Sequence, residues 1–270
     1  MISRAERATS FGAIAEDYDR LRPGPAAAAV DWLLPAGTAG RPPVVADLGA
    51  GTGLLSRALA SRGARVVAVE PDERMRAVLA ARSPGVRVVA GRGEQIPLPD
   101  ASADGVCVSS AWHWMDPELA VPEITRVLRV GGVLGVIWVS RAARVPWVAE
   151  FNQLARESRE ADGRAGGPAD GWAGGRAAVS GPGGRWRRQV TFPPGTAMSP
   201  AQERTVEYSL PMTKADLLGL LGTYSGVITL EPERRAAFTR RVQAYLDRQP
   251  WERADLPMIC RCLRSTRLPG

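Results

Sequence analysis

This sequence predicts an α/β fold organised on a nucleoside-binding strand–turn–helix–strand unit, on three observations. The first is the turn Asp47-Leu48-Gly49-Ala50-Gly51-Thr52-Gly53, which follows the short apolar, β-branched run Val44-Val45-Ala46. The second is the stretch after it, where Leu54 with Ala58 and Leu55 with Leu59 have helical spacing. The third is a second apolar run, Val66-Val67-Ala68-Val69, ending at Glu70. Glycines let the backbone turn sharply and approach a ligand closely. The helix N-terminus offers free N–H groups to a polar or negative ligand group. An acid at the tip of the second strand, about twenty residues past the first glycine, is placed to accept hydrogen bonds from ribose hydroxyls.

The details of the turn separate two nucleoside classes. A dinucleotide fingerprint needs a third glycine at position 54, which is Leu. Asp47, an acid that a pyrophosphate would not welcome, suits a ligand carrying an ammonium or sulfonium. On these residues the segment resembles motif I of the class I S-adenosylmethionine (SAM)-dependent methyltransferases, and Glu70 resembles that family's ribose-binding acid. The resemblance implies that Asp47, Gly49, Gly51 and Gly53, with Ala50 and Thr52 in the same turn, hold the methionine end of SAM. It also implies a Rossmann-like seven-stranded, mostly parallel sheet with helices on both faces, N-terminal helices and a cap insertion after strand five.

In chain order, residues 4–22 read as one helix, since Phe11, Ile14, Ala15, Tyr18 and Leu21 form an apolar stripe. Arg22-Pro23-Gly24-Pro25 stops it, and Pro25 begins a second helix running to Leu34. Strand one is 44–48, helix A 53–62 with Gly63 as its C-terminal glycine, and strand two 65–70. Pro71-Asp72-Glu73 opens helix B, which Ser83-Pro84-Gly85 ends, and Val86 to Ala90 is strand three. Residues 103–109 are strand four, 116–129 a helix despite Pro122, Val130-Gly131-Gly132 a turn and 133–139 strand five. Val145 to Arg159 reads as a helix, and the glycine-rich stretch 162–184 as a lid or loop. Residues 203–210 read as a strand, Thr213 caps a helix to about Leu221, residues 232–247 form a strong helix and 256–263 the closing strand. The expected organisation is 1–140 for the N-terminal helices and cofactor-binding half, 141–200 for the cap, and 201–270 for the part completing the sheet.

Three further segments carry site expectations by resemblance. Gly91 to Ser102 resembles the family's adenine-wrapping segment, which puts Gly93 and Glu94 at the ring edge; relatives often carry Ala where Gly93 stands. Phe11 to Pro23 and Ala111-Trp112-His113-Trp114-Met115-Asp116 resemble a subgroup that includes trans-aconitate methyltransferase-like proteins. In that subgroup the N-terminal helix helps close the substrate pocket, which makes Tyr18 and Arg22 pocket candidates. Tyr224 falls in a Ser-Tyr-like element of the same subgroup. The 111–116 turn follows strand four, and ligands of open α/β sheets sit beyond the C-terminal strand ends. It holds His113, the only histidine of the chain, either a general base or a residue that orients cofactor and loop by hydrogen bonds. Trp112 could line the pocket.

Composition narrows the partners. The formal charge of +7 raises nucleic acid as a partner, but the arginines are spread among the acids. Arg187-Arg188, Arg234-Arg235 and Arg240-Arg241 are the densest spots, and Lys214 is the only lysine. No basic stretch interleaved with aromatics forms a stacking platform. The expectation is therefore methyl transfer to a small molecule. An RNA methyltransferase and a non-catalytic SAM-binding protein are the rivals. Cys107, Cys260 and Cys262 are an odd, unpatterned set, read as reduced thiols of a cytoplasmic protein. A single histidine argues against a zinc site. No run of eighteen apolar residues or secretory leader is seen. The acceptor, the accepting atom and the oligomeric state are not legible.

Overall fold

The computed structural model describes residues 10–37, 40–160 and 190–270. After a 3-10 turn at Ser10–Ile14 come α1 (Ala15–Leu21), α2 (Ala27–Leu33), β1 (Val44–Leu48), α3 (Leu54–Ala60), β2 (Arg65–Glu70), α4 (Glu73–Arg82), β3 (Arg87–Ala90) and β4 (Ala103–Ser109). Then follow α5 (Pro117–Val127), β5 (Leu128–Arg141), α6 (Pro146–Glu160), β6 (Gln202–Thr213), α7 (Lys214–Gly222), α8 (Ser225–Ile228), α9 (Pro232–Asp247) and β7 (Arg253–Thr266).

The strands form one seven-stranded sheet in the order β3-β2-β1-β4-β5-β7-β6. The pairs β1–β2, β1–β4, β2–β3 and β4–β5 are parallel. Parallel strands covered on both faces read as continuous apolar runs, which is why β1, β2 and β4 stand where the sequence places them. Their burial is nearly unbroken. On one face α5 packs Ala120, Val121, Ile124 and Val127 against Ala46, Leu48, Val106, Val108, Leu134 and Val136. The alternate residues face the other way. There Gly135 meets α2 so closely that a Cβ would lie 3.0 Å from Leu33 Cδ2. The sheet order reverses between β1 and β4, and that crevice at the C-terminal strand ends is where open sheets of this kind take ligands.

The chain divides into two compact units. One takes Gly24–Val139, Arg185–Val206 and Cys260–Gly270; the other takes Met1–Pro23, Ser140–Gly184 and Glu207–Ile259. The first holds β1 to β4 and most of β5. The second holds α1, α6, α7, α8 and α9. In this second unit α7 opens with a capping box, Thr213 and Asp216 exchanging side-chain to backbone hydrogen bonds of 3.1 Å. No helix among the described residues is long and apolar enough to cross a membrane.

Four local expectations change. The described part of the N-terminal helix is a 3-10 turn followed by a seven-residue α-helix, not one continuous helix. The second helix starts at Ala27, after Ala26 as N-cap, not at Pro25. The helix before strand five ends at Val127, and β5 begins at once, at Leu128. Leu128 pairs with Ala103, the register then shifts, and pairing resumes at Gly105 with Val133. The expected turn Val130–Gly132 is thus an irregularity inside the strand. The Gly131 N–H donates to the Arg267 carbonyl at 2.9 Å, and the Arg267 N–H donates to Gly132 at 2.8 Å, which keeps the strand paired. Finally α8 forms where only a connection was expected, its amides at Val227 and Ile228 donating to the Tyr224 carbonyl. The glycine-rich stretch 162–184 lies outside the described residues.

Candidate functional site

The glycine turn leaves β1 in a conformation that side chains disfavour. Gly49, Gly51 and Gly53 have φ of +63°, +57° and +91°, the left-handed region that glycine enters freely. At Gly49 the fold also demands closeness, since a Cβ there would stand 2.6 Å from the Ala111 Cβ. At Gly51 a Cβ would meet nothing within 4 Å among the described residues. That position borders open space, as the wall of a ligand cradle must.

Asp47 is 1% exposed at the end of β1. Its Oδ2 accepts a 2.6 Å hydrogen bond from the Ser56 hydroxyl of α3. Its Oδ1 is buried and has no hydrogen-bond partner among the described residues. Burial pushes the carboxyl up to about 7, against the Ser56 hydrogen bond, and the nearby Glu70 charge adds to the rise. A buried carboxylate with an open oxygen costs free energy unless a cation or donor completes it.

Glu70 ends β2, and its carboxylate bridges two loops. One oxygen accepts from the Gly51 N–H at 2.8 Å and the other from the Asp72 N–H at 2.9 Å. Burial raises its pKa and these two hydrogen bonds oppose the rise. The acid expected at the ribose therefore also pins the glycine turn. Thr52 is buried, with its hydroxyl unpartnered among the described residues. Ala50 joins the turn through its amide, which donates to the Val69 carbonyl at 3.2 Å.

The adenine-side segment is held from α5. Arg126 donates to Glu123, to Asp100 Oδ1 at 2.7 Å, and to the carbonyls of Leu98 and Ile96 at 2.9 and 3.0 Å. Glu123 in turn accepts from the Ile96 N–H at 2.8 Å. Gly93 is small because Met115 Sδ lies 2.6 Å from where its Cβ would be. Glu94 accepts from the Asp116 N–H at 2.9 Å, which ties this segment to the turn after β4. Arg126→Ala is expected to cost about 1–2 kcal/mol, read as a lowered midpoint in urea, and to speed proteolysis at 96–100.

After β4 the chain turns at Ser110, a non-glycine residue at φ +53°. Such strain gathers at functional edges. A 3-10 turn, Trp112–Trp114, follows. His113 is half-buried, its ring tilted on Trp114 with centroids 4.7 Å apart. Trp112, 3% exposed, is packed among the core side chains under α5. The structure thus brings Asp47, the glycines, Glu70, Gly93, Glu94 and His113 into one unit, at the C-terminal strand ends.

Tyr18, Arg22 and Tyr224 belong to the other unit and lie together there. The Arg22 guanidinium sits 3.9 Å from the Tyr224 ring centroid and 4.9 Å from that of Tyr18. Sequence reasoning missed two residues of this cluster, Arg141 and Asn152, both buried. Arg141 Nε donates to Asn152 Oδ1 at 2.7 Å, and Nη1 to the Tyr224 hydroxyl at 3.0 Å. The one available signal was an arginine closing an apolar strand run.

A sheet of this order, parallel from β1 to β5, with an acid-bounded glycine turn at its switch point and a second acid on the next strand, has the features expected of a nucleoside-binding α/β protein. Comparison with known proteins makes this specific. Residues 46–136 match the family described as methyltransferase domain. An uncharacterized methyltransferase of Mycobacterium tuberculosis is 37% identical over 268 residues, 98% of this chain and 98% of that one. A malonyl-[acyl-carrier protein] O-methyltransferase of Serratia marcescens is 35% identical over 140 residues, 49% of this chain and 52% of that one. Among solved structures, a putative type II methyltransferase from Anaeromyxobacter dehalogenans has a TM-score of 0.61 and 25% identity, covering 92% of this chain and 99% of that one. The chain belongs to the methyltransferase family and is a SAM-dependent enzyme. The residues present fit the cofactor: the open buried oxygen of Asp47 suits its ammonium, and the clear space at Gly51 admits it.

Proposed function

We propose that this enzyme methylates a small-molecule acceptor. SAM supplies a methyl group activated on a sulfonium, so the protein's work is alignment and dryness. In this reading Asp47, Gly49, Ala50, Gly51, Thr52 and Gly53 hold the methionine end, Glu70 the ribose, and Gly93 with Glu94 the adenine. The observation that carries the cofactor assignment is the buried Oδ1 of Asp47, which has no hydrogen-bond partner among the described residues. Trp112, from its core position, shapes the floor of the turn that carries His113. Tyr18, Arg22 and Tyr224 receive the acceptor. His113 takes the proton when the acceptor atom is an oxygen or nitrogen that must lose one.

A small acceptor fits the charge pattern better than RNA does. Arginines 20, 62, 126, 129, 144 and 241 are tied in ion pairs with acids, whereas an RNA face needs cations free to meet phosphates. The buried free thiols of Cys107, Cys260 and Cys262 support a reducing, cytoplasmic setting.

The test uses SAM labelled in its methyl group, incubated with the protein and a cell extract that is then fractionated. Label is expected in the small-molecule fraction; label in RNA would overturn the acceptor class. With the acceptor in hand, His113→Gln is expected to lower kcat by about 100-fold or more, with affinity for the SAM analogue sinefungin within twofold of wild type. An unchanged kcat would leave His113 as an orienting residue.

A further inference from the structure

The unit that carries the glycine turn also has a cavity at the opposite, N-terminal ends of its strands. Arg41, Pro42, Val44, Arg65, Asp104 and Arg129 line it, and it holds about 90 Å³. The strand register explains the gathering. Val44, the first residue of β1, pairs with Arg65, the first of β2. Val45 pairs with Gly105, which sets Asp104 level with Val44. Leu128 pairs with Ala103, which brings Arg129 beside Asp104. Arg41 lies just ahead of β1. The charges in this row are unequal, because three guanidiniums meet one carboxylate, and that carboxylate is already engaged. Buried Asp104 accepts from Arg129 Nη1 through Oδ1, and from the Val44 N–H through Oδ2 at 2.8 Å. Arg129 is held further by the carbonyls of Ala101 and Ser102, at 3.2 and 3.3 Å. Arg41 and Arg65 are exposed, and among the described residues neither side chain has a hydrogen-bond or ion-pair partner. A concave surface lined mainly by one sign of charge concentrates counter-ions of the other.

We propose that this cavity is a receptor for a phosphate group on a small ligand, clasped by Arg41 and Arg65 with Arg129 behind them. A phosphate monoester presents three free oxygens and close to two negative charges at neutral pH. That matches donors arriving from separate elements and the two positive charges in excess among the lining residues. A carboxylate presents two oxygens and one charge. Guanidinium forks suit phosphate oxygens, and they do so better than ammonium groups. A cavity of this size has room for several waters, and so for one phosphate group but not for a length of nucleic-acid backbone. The rest of the ligand lies outside it. β1, five residues long, spans about 16 Å between this cavity and the glycine turn. The phosphorylated ligand therefore binds together with SAM, not in its place.

Calorimetric titration at constant ionic strength tests the receptor, with glycerol 3-phosphate, inorganic phosphate and acetate as probes and with or without saturating sinefungin. Glycerol 3-phosphate is expected to bind saturably, at one per chain. Binding should be at least tenfold weaker in Arg65→Gln and in Arg41→Gln, with intermediate loss in Arg65→Lys. Both arginines are exposed, so the variants should keep the circular dichroism and the melting temperature of wild type. Arg87→Gln is the control. Arg87 opens β3 and is exposed at the same strand ends, but it does not line the cavity, so this variant should bind as wild type does. Saturating sinefungin should change the phosphate affinity by less than twofold. An ester that binds at least as tightly as inorganic phosphate marks a phosphorylated metabolite as the occupant, and the reverse order marks the free ion. Absent saturable phosphate binding, acetate bound as tightly as phosphate, equal losses in Arg87→Gln and Arg65→Gln, or displacement by sinefungin would each overturn the proposal.

Discussion

Asp47→Asn makes the cofactor-free protein more stable at pH 8, and the gain shrinks as the pH falls towards 4. The carboxyl has an ordinary value of 3.8 and is raised to about 7 in the fold, chiefly by burial. The unfolded chain releases this proton near pH 4, while the folded chain keeps it until about 7. Stability is therefore lost as pH rises across that window and is level above it. The asparagine keeps the acceptor for Ser56 and carries no charge, so at pH 8 it recovers on the order of 2–4 kcal/mol. The same exchange harms binding. Sinefungin affinity in wild type should rise as pH climbs through about 7, because ionised Asp47 pairs with the ligand's ammonium. In Asp47→Asn the profile should be flat and the affinity at pH 8 about 100-fold weaker. Thermal melts and calorimetry at pH 5, 6.5 and 8 measure both halves. A variant that loses stability at pH 8 would refute the account of this acid.

Alanine at Gly49 and alanine at Gly51 are expected to fail in opposite ways. Both positions have left-handed φ, worth about 1–2 kcal/mol against alanine. At Gly49 the new methyl also meets Ala111 at 2.6 Å, and overpacking adds about 1–3 kcal/mol. Gly49→Ala should thus be a folding lesion, its melting temperature falling by more than that of Gly51→Ala. At Gly51 no described residue lies within 4 Å of the added methyl, so Gly51→Ala should fold with only the conformational cost. Its methyl occupies space the cofactor needs, and sinefungin affinity should drop at least tenfold. Wild-type affinity in Gly51→Ala would show that the open space beside Gly51 is not the cradle.

How much was legible follows from which interactions are local. β1, β2 and β4 were readable because buried parallel strands leave mostly apolar runs, and Gly63 because a positive φ of +83° leaves a glycine behind. The start of β5 was not readable. Val130-Gly131-Gly132 has turn chemistry, and only Arg267, distant in sequence, makes it part of a strand. The glycine turn was legible as a motif because its conformation is written in seven consecutive residues, with positive φ at Gly49, Gly51 and Gly53. The Arg22 cluster was half legible: Arg22 and Tyr224 stood out by resemblance, while Arg141 and Asn152 have no spacing signature. They join the cluster only when the chain is folded back on itself: Arg141 meets the hydroxyl of Tyr224, 83 positions on, and Arg22 the carbonyl of Thr223, 201 positions on. That Glu70, the acid proposed for the ribose, also fastens the glycine turn needed coordinates.

The three thiols supply a clock. Cys107, Cys260 and Cys262 are buried, and all fall in the unit that carries the glycine turn. Burial pushes the Cys262 thiol up to about 12 and raises Cys107 as well, so neither ionises while enclosed, and only a thiolate attacks an alkylating reagent. Alkylation must then wait for the strands to part. The rate at which a thiol reagent consumes these cysteines counts openings of the unit that carries the glycine turn; the other unit contains no cysteine. A ligand that slows the count braces that unit; one that leaves it unchanged acts elsewhere.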